Sequence, residues 1–150
     1  MRCFAIDRFY ILSNNGTEKE HNVCHYFGIE RTKHDNVPYN KGSDLDIGNY
    51  HMSIKSSRFT LMSGNLCKDC TTFEEIWTIY AENVHSNTFL YVTDEYVVYM
   101  MNLIEFKQFV YEFCGLERES QKNGGYLKIK CRKESKKMLP ISDVCELSKY

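Results

Sequence analysis

The stretch GSDLDIGNYHMSIKSS, residues 42 to 57, alternates apolar and polar side chains on both sides of Gly48-Asn49. Such alternation around a Gly-Asn pair predicts a β-hairpin with a two-residue turn. Because side chains alternate across a strand, the polar side chains of the hairpin share one face. They are Asp44, Asp46, His51, Ser53 and Lys55. The opposite face is apolar, with Leu45, Ile47, Tyr50, Met52 and Ile54.

Helix and strand signals on both sides of the hairpin predict an α/β or α+β fold. Capping-box patterns start at Thr17, Thr72 and Asn102 and predict three helices, the first over residues 18–27 and ended by Gly28. The runs TFLYVT, YVVYMM and YLKIKCR predict three further strands. The order of these elements indicates a mixed central β-sheet flanked by helices.

The composition limits the class of protein. A chain of 150 residues that is 43% hydrophobic has the size of one domain, here residues 1–150. The formal net charge of −1 gives no global attraction to nucleic acid, so any basic surface is local. No run reaches the roughly 18 to 20 apolar residues that cross a bilayer. We therefore expect a cytoplasmic protein without a membrane segment, whose cysteines are reduced.

The polar face of the hairpin carries donors for a divalent cation. Opposed side chains have Cβ atoms about 4.5–5.5 Å apart, so Asp44, Asp46 and His51 could share one ion. Magnesium prefers oxygen ligands, keeps several waters and needs one or two carboxylates. Lys55 would then hold the attacking water or stabilise the charge of a phosphate. The competing interpretation is an ordinary solvent-exposed strand with cross-strand charge pairs.

The same stretch resembles the core of the PD-(D/E)XK nucleases, the restriction-endonuclease-like superfamily. Ser43-Asp44 matches the Pro-Asp element, Ser53-Ile54-Lys55 matches the Glu-x-Lys element, and Glu20 matches an acidic residue of the preceding helix. The resemblance implies a magnesium-dependent phosphodiesterase that acts on DNA or RNA, often as a homodimer, with Asp44, Lys55 and Glu20 as catalytic residues. Ser53 departs from the family pattern. Either Asp46, Glu20 or His51 supplies the missing metal contact, or the fold remains and catalysis is lost.

The chain also looks similar to small proteins of bacteriophages and mobile elements, among which nucleases and inhibitors of host defence are frequent. The alternative function is a non-enzymatic inhibitor that binds a host nuclease complex, of the anti-CRISPR or anti-restriction type. An inhibitor that enters a DNA-binding channel would present acidic groups. The candidates are Glu74, Glu75, Asp94, Glu117 and Glu119.

Residues 121–137 hold seven Lys or Arg residues against one Glu and form a local basic segment. Three of these cations alternate along the predicted strand, and three follow it. The predicted nucleic-acid-binding residues are Lys128, Lys130, Arg132, Lys133, Lys136 and Lys137. A basic face suits a nuclease because phosphates must be attracted. Lysines that protect an edge strand from aggregation are the competing explanation.

Cys67 and Cys70 are spaced as a CxxC pair, which can bind zinc or cycle through a disulfide. One such pair is half of a structural zinc site, and the sequence contains no second CxxC. Two ordinary thiols in a loop are therefore the favoured interpretation.

Overall fold

The computed structural model describes residues 1–12, 15–29, 43–61, 66–84 and 86–132. The strands are β1 (Arg2–Ala5), β2 (Leu45–Ile47), β3 (Tyr50–Lys55), β4 (Arg58–Phe59), β5 (Thr88–Val92), β6 (Val97–Asn102), β7 (Cys114–Arg118) and β8 (Leu127–Cys131). The helices are α1 (Asn15–Tyr26), α2 (Phe73–Asn83) and α3 (Leu103–Phe113), and a 3-10 turn spans Gln121–Asn123. Within these residues no helix has the length and apolar character needed to cross a membrane.

The strands form two sheets. One has five strands in the order β1-β6-β5-β3-β2, and the other has three in the order β4-β8-β7. β3 and β5 pair in parallel, with α2 between them in the chain, and the other pairs are antiparallel. The predicted mixed sheet with flanking helices is therefore confirmed. The second sheet was not predicted, because β4 has two residues and β7 follows α3 without a loop.

Helix α1 begins earlier than predicted and ends as predicted. It starts at Asn15, so Thr17 lies inside the first turn and its assignment as the N-cap is wrong. At the other end Gly28 has a φ of 74°, which a residue without a Cβ adopts at little cost. The amides of Gly28 and Ile29 donate to two carbonyls of the last turn, which is the Schellman arrangement.

The other two helices begin at their predicted caps. The Thr72 hydroxyl accepts a hydrogen bond from the Glu75 amide at 3.3 Å. The Asn102 side chain accepts from the Glu105 amide, and the Asn102 amide donates to the Glu105 carboxylate, so both halves of this capping box are present. Each of these helices buries one apolar face, and the buried residues are Ile76, Trp77, Tyr80, Val84, Phe106, Phe109, Val110 and Phe113.

The five-stranded sheet separates two apolar clusters, one on each face. On one face Met52 and Leu90 pack with Val23 of α1. On the other face Phe89 packs with residues of α2, α3 and the second sheet, and its ring stacks on Phe106 at 4.2 Å between centroids. Because successive strand residues point to opposite faces, β5 and β6 contribute to both clusters.

Glu18 of α1 anchors both the segment before the helix and the turn between β5 and β6. Its carboxylate is 3% exposed and accepts hydrogen bonds from the Tyr96 hydroxyl and the Arg8 side chain. Tyr96 has a φ of 60°, a left-handed conformation that is unfavourable for non-glycine residues and is stabilised here by neighbouring contacts. The next helix residue, Lys19, is 1% exposed and donates to Asp94 at 2.9 Å.

Replacing Phe106 by alanine should destabilise the protein strongly. The ring is 0% exposed and stacks on Phe89, so its loss removes buried apolar area and leaves a cavity, at a cost of about 3–5 kcal/mol. The matched control is Ile104→Ala on the same helix, where the side chain is 71% exposed. Urea denaturation should show the large loss for Phe106→Ala alone, and equal losses in both variants would contradict the packing described.

The hydrogen bonds from Tyr96 and Arg8 lower the pKa of Glu18 below its ordinary value of 4.5. A carboxylate with a lowered folded pKa contributes stability above its unfolded pKa and loses that contribution as the pH falls through the folded value. Glu18→Gln should therefore unfold in less urea than the wild type at neutral pH, with a difference that shrinks as the pH falls below about 4.5. A difference that stays constant with pH would contradict an ionised Glu18.

Candidate functional site

β3 is an interior strand of its sheet, so its polar side chains do not share one environment. The predicted hairpin register is confirmed, with Asp46 opposite His51. Ser53, by contrast, is 2% exposed, because the parallel pairing places it beside Phe89 of β5. The interpretation of the polar face as an ordinary exposed surface is therefore wrong at Ser53.

Asp44 precedes β2 and is held against the end of β3. Its amide donates to the Met52 carbonyl at 2.8 Å, and its carboxylate accepts from the Ile54 amide at 2.7 Å. The second bond fixes the carboxylate next to the strand residue that precedes Lys55. Asp44 and Lys55 are therefore neighbours, as the hairpin pattern predicts.

Lys55 lies at the carboxyl end of β3 in a partly buried position, and its ammonium donates to the Thr60 carbonyl at 2.8 Å. Burial lowers the pKa of Lys55, the negative charges of Asp44 and Glu20 oppose that shift, and the positive charge of Lys128 adds to it. Asp44, Glu20 and Lys55 are the three residues that the resemblance marks as catalytic. The structure brings them together, because the carboxylates of Asp44 and Glu20 both lie close enough to the Lys55 ammonium to affect its pKa.

A cavity of about 230 Å³ opens at this end of β3, where α1 begins and β4 and β8 pass. The charged side chains in its lining are Lys19, Glu20, Lys55, Arg58 and Lys128. Glu20 is the one acidic group among these five. Lys19 is 1% exposed and bound to Asp94, so the cations that could meet an anion in this concave lining are Lys55, Arg58 and Lys128.

Asp46 and His51 lie at the turn end of the hairpin, away from the cavity. His51 and Lys55 are four positions apart on the strand, which places their Cα atoms about 13 Å apart. The Asp46 carboxylate accepts a hydrogen bond from the Ser43 hydroxyl and lies 2.9 Å from His51 Nδ1, and these bonds lower the pKa of Asp46. Both side chains are exposed to solvent, and they form a surface pair.

The three predicted magnesium ligands are therefore divided between two places. Asp44 faces the Ile54 amide, whereas Asp46 and His51 contact each other near the turn. Over the described ranges of the chain, no three His, Cys, Asp or Glu side chains are grouped closely enough to hold a metal ion. These donors do not fit a magnesium centre by themselves, and magnesium binding stays a prediction.

The predicted basic strand is present as β8, with Lys128 and Lys130 on the face opposite Leu127 and Ile129. β8 pairs with β4 on one side and β7 on the other, so the explanation that its lysines protect an edge strand is wrong. Arg132 follows the strand, and its guanidinium donates to a backbone carbonyl at the end of α3. Lys133, Lys136 and Lys137 lie outside the described residues.

Two glutamates neutralise much of the face that carries these lysines. Lys130 Nζ lies 3.5 Å from Glu117 Oε2, and Lys128 Nζ lies 3.9 Å from Glu119 Oε1. The Arg58 guanidinium lies 3.5 Å and 3.6 Å from the same two carboxylates. Because Glu117 and Glu119 alternate with cations, they do not contribute to the acidic surface that an inhibitor of a DNA-binding channel would present.

Cys67 and Cys70 are buried, with 4% and 3% of their surface exposed. Burial raises the pKa of Cys67 to about 11 and also raises the pKa of Cys70. The raised pKa values favour the protonated thiols and so disfavour thiol exchange, which needs the thiolate. Within the described residues no third donor joins them to form a metal-ligating group.

Two cations of the cavity, Lys19 and Arg58, were not predicted from the sequence. Arg58 belongs to a strand of two residues, which is too short to show a period-2 pattern. Lys19 lies on α1, and its buried position depends on Asp94, which is 75 residues away in the chain. A contact of such long range leaves no mark in local spacing.

No protein-family model, curated protein or solved structure matches the chain. The interpretation of the site therefore rests on its own geometry.

Replacing Lys55 by methionine should not destabilise the fold. The lowered pKa of Lys55 means that its positive charge disfavours the folded state at neutral pH, and an apolar side chain of similar length removes that penalty. The urea midpoint of Lys55→Met should equal or exceed that of the wild type, and the gain should shrink as the pH rises toward the ordinary pKa of a lysine, because the penalty on the charged form is then lost.

The control for this experiment is Lys122→Met, at an exposed position of the 3-10 turn, which should leave the midpoint unchanged. A clear fall of the midpoint in Lys55→Met would show that the lysine serves the fold, and would remove the reason to assign it to a binding site.

Proposed function

We propose that this chain is a nuclease-like protein that binds a nucleic-acid phosphate in the cavity at the end of β3 without hydrolysing it. The observation that carries the proposal is the convergence of Lys55, Arg58 and Lys128 on one cavity, beside Asp44 and Glu20. The sequence resemblance to the PD-(D/E)XK nucleases supports the nucleic-acid part of the proposal.

The cations of the cavity have the chemistry that phosphate binding needs. Ammonium and guanidinium groups donate charge-assisted hydrogen bonds, which are about twice as strong as neutral ones. Lys55 gains most from an anion, because its ammonium is partly buried and a bound phosphate would replace the solvation that burial removes. Lys55 also lies beside Arg58 and Lys128 in the same lining, so a phosphate there would meet three cations.

Two features favour binding over hydrolysis. Ser53 stands where the family motif has a carboxylate, and it is buried beside Phe89. The Asp44 carboxylate accepts a hydrogen bond from the Ile54 amide, whereas Asp46 and His51 contact each other at the turn end of the hairpin. We therefore assign no hydrolytic step to these residues.

Four other functional features stay predictions: the choice between DNA and RNA, the homodimer, the cytoplasmic location and the phage or mobile-element setting. The inhibitor alternative also stays a prediction. Two of its acidic candidates already have partners within the chain, because Asp94 pairs with Lys19 and Glu74 accepts a hydrogen bond from Tyr111.

Fluorescence anisotropy with labelled single-stranded and double-stranded DNA and RNA tests the proposal. In EDTA the wild type should bind at least one of these substrates, and Lys55→Met and Lys128→Met should each weaken binding about tenfold or more, because a hydrogen bond to a charged group contributes about 1.5–3 kcal/mol. Lys130→Met is the matched control on the same strand, because Lys130 lies outside the cavity lining and should bind like the wild type.

The same mixtures are then incubated with magnesium or manganese and examined for cleavage. Intact substrate with Lys55-dependent binding supports the proposal. Cleavage that Asp44→Asn abolishes would overturn it in favour of an active nuclease. Equal binding, or no binding, by the wild type and Lys55→Met on every substrate would also overturn it and would leave the inhibitor prediction as the one to test.

A further inference from the structure

We infer that the cavity is selective for a phosphate monoester, the group at the end of a nucleic-acid strand or on a free nucleotide, over the diester inside a strand. The inference rests on the proposed function, because it names the ligand of the same site. It follows from three observations on the cavity and its surroundings.

The first observation is the size of the cavity. Its volume is about 230 Å³, below the roughly 300–1,000 Å³ of pockets that enclose drug-sized ligands. This space suits one phosphoryl group and part of the attached sugar. A phosphate at a chain end can enter such a space alone, whereas an internal phosphate brings a nucleoside on each side.

The second observation is that the neighbouring cations are already engaged. Lys130 is the next outward lysine of β8, and it pairs with Glu117 at 3.5 Å. The Arg132 guanidinium donates to a backbone carbonyl of α3. Among the described residues, these two cations therefore do not extend the cavity into a row of unpaired charges that could follow successive phosphates.

The third observation is that carboxylates compete for the cations of the cavity. Glu119 lies 3.6 Å from Arg58 and 3.9 Å from Lys128, and Glu20 is part of the lining. A carboxylate and a phosphodiester each carry one negative charge, so exchanging one for the other gains little Coulomb energy. A phosphate monoester carries about −1.5 to −2 at pH 7, because its second pKa is near 6. The monoester is therefore the ligand that brings more charge than it displaces.

The test compares two single-stranded oligonucleotides of one sequence, both labelled at the 3′ end, one with a 5′-phosphate and one with a 5′-hydroxyl. In EDTA the 5′-phosphorylated strand should bind at least about tenfold more tightly, and Lys55→Met should remove the difference. The affinity for this strand should fall as the pH drops below about 6, where the monoester takes up a proton. The logarithm of the binding constant should fall with the logarithm of salt concentration with a slope of about −1, as expected for one or two released counterions.

Glu20→Gln should change the affinity in the opposite direction to Lys55→Met. It removes a competing negative charge and leaves the cations in place, so the phosphorylated strand should bind several-fold more tightly. Competition then separates the two sources of the monoester. If a nucleoside monophosphate displaces the strand at concentrations near the dissociation constant of the strand, the ligand is a free nucleotide. If much higher concentrations are needed, the ligand is a strand end. Both outcomes support a monoester site.

Equal Lys55-dependent binding of the two strands would overturn this inference while leaving the proposed function intact, because the cavity would then accept an internal phosphate. A slope of several units in the salt dependence would also overturn it, since it would require a longer contact with the backbone. Binding of neither strand, with Lys55→Met indistinguishable from the wild type, would remove both the proposed function and this inference.

Discussion

The parallel pairing of β3 with β5 is the constraint on which the site depends. It makes β3 an interior strand, so the register decides which of its side chains enter the core and which reach the end of the sheet. Ser53 enters the core beside Phe89, and Lys55 emerges at the carboxyl end of the strand. In open sheets with parallel strands, ligands commonly bind outside this end. A shift of one residue would exchange the two faces of β3 and take Lys55 away from Asp44 and Glu20.

Three consecutive residues of α1 show how one helical turn can serve both the fold and the site. Glu18 and Lys19 are buried and bind Tyr96 and Asp94, and the partly exposed Glu20 lines the cavity next to Lys19. Successive residues of a helix differ by about 100° in direction, so neighbours in sequence reach different partners. The same two anchoring contacts that fix the helix also fix the position of the Glu20 carboxylate relative to Lys55.

The parts of the structure that local patterns determine could be predicted from the sequence. The hairpin register and the caps at Thr72 and Asn102 depend on spacings of two to four residues, and all are present. The second sheet could not be predicted, because it joins the two-residue strand β4 to strands more than fifty residues later in the chain. The site divides in the same way: Asp44 and Lys55 follow from the hairpin, whereas Arg58 and Lys19 enter the cavity through long-range contacts.

The outer edge of the five-stranded sheet has a consequence for how copies of the chain could associate. β2 forms that edge, and it contains three residues with an exposed carboxylate, Asp46, at the centre. A short edge with a charge in the middle gives an incoming strand few amides and carbonyls to join and a carboxylate to dehydrate, which is how many soluble proteins prevent fibre-like growth. A continuous sheet built across two subunits through β2 is thus disfavoured, whereas β1 forms the other edge of this sheet.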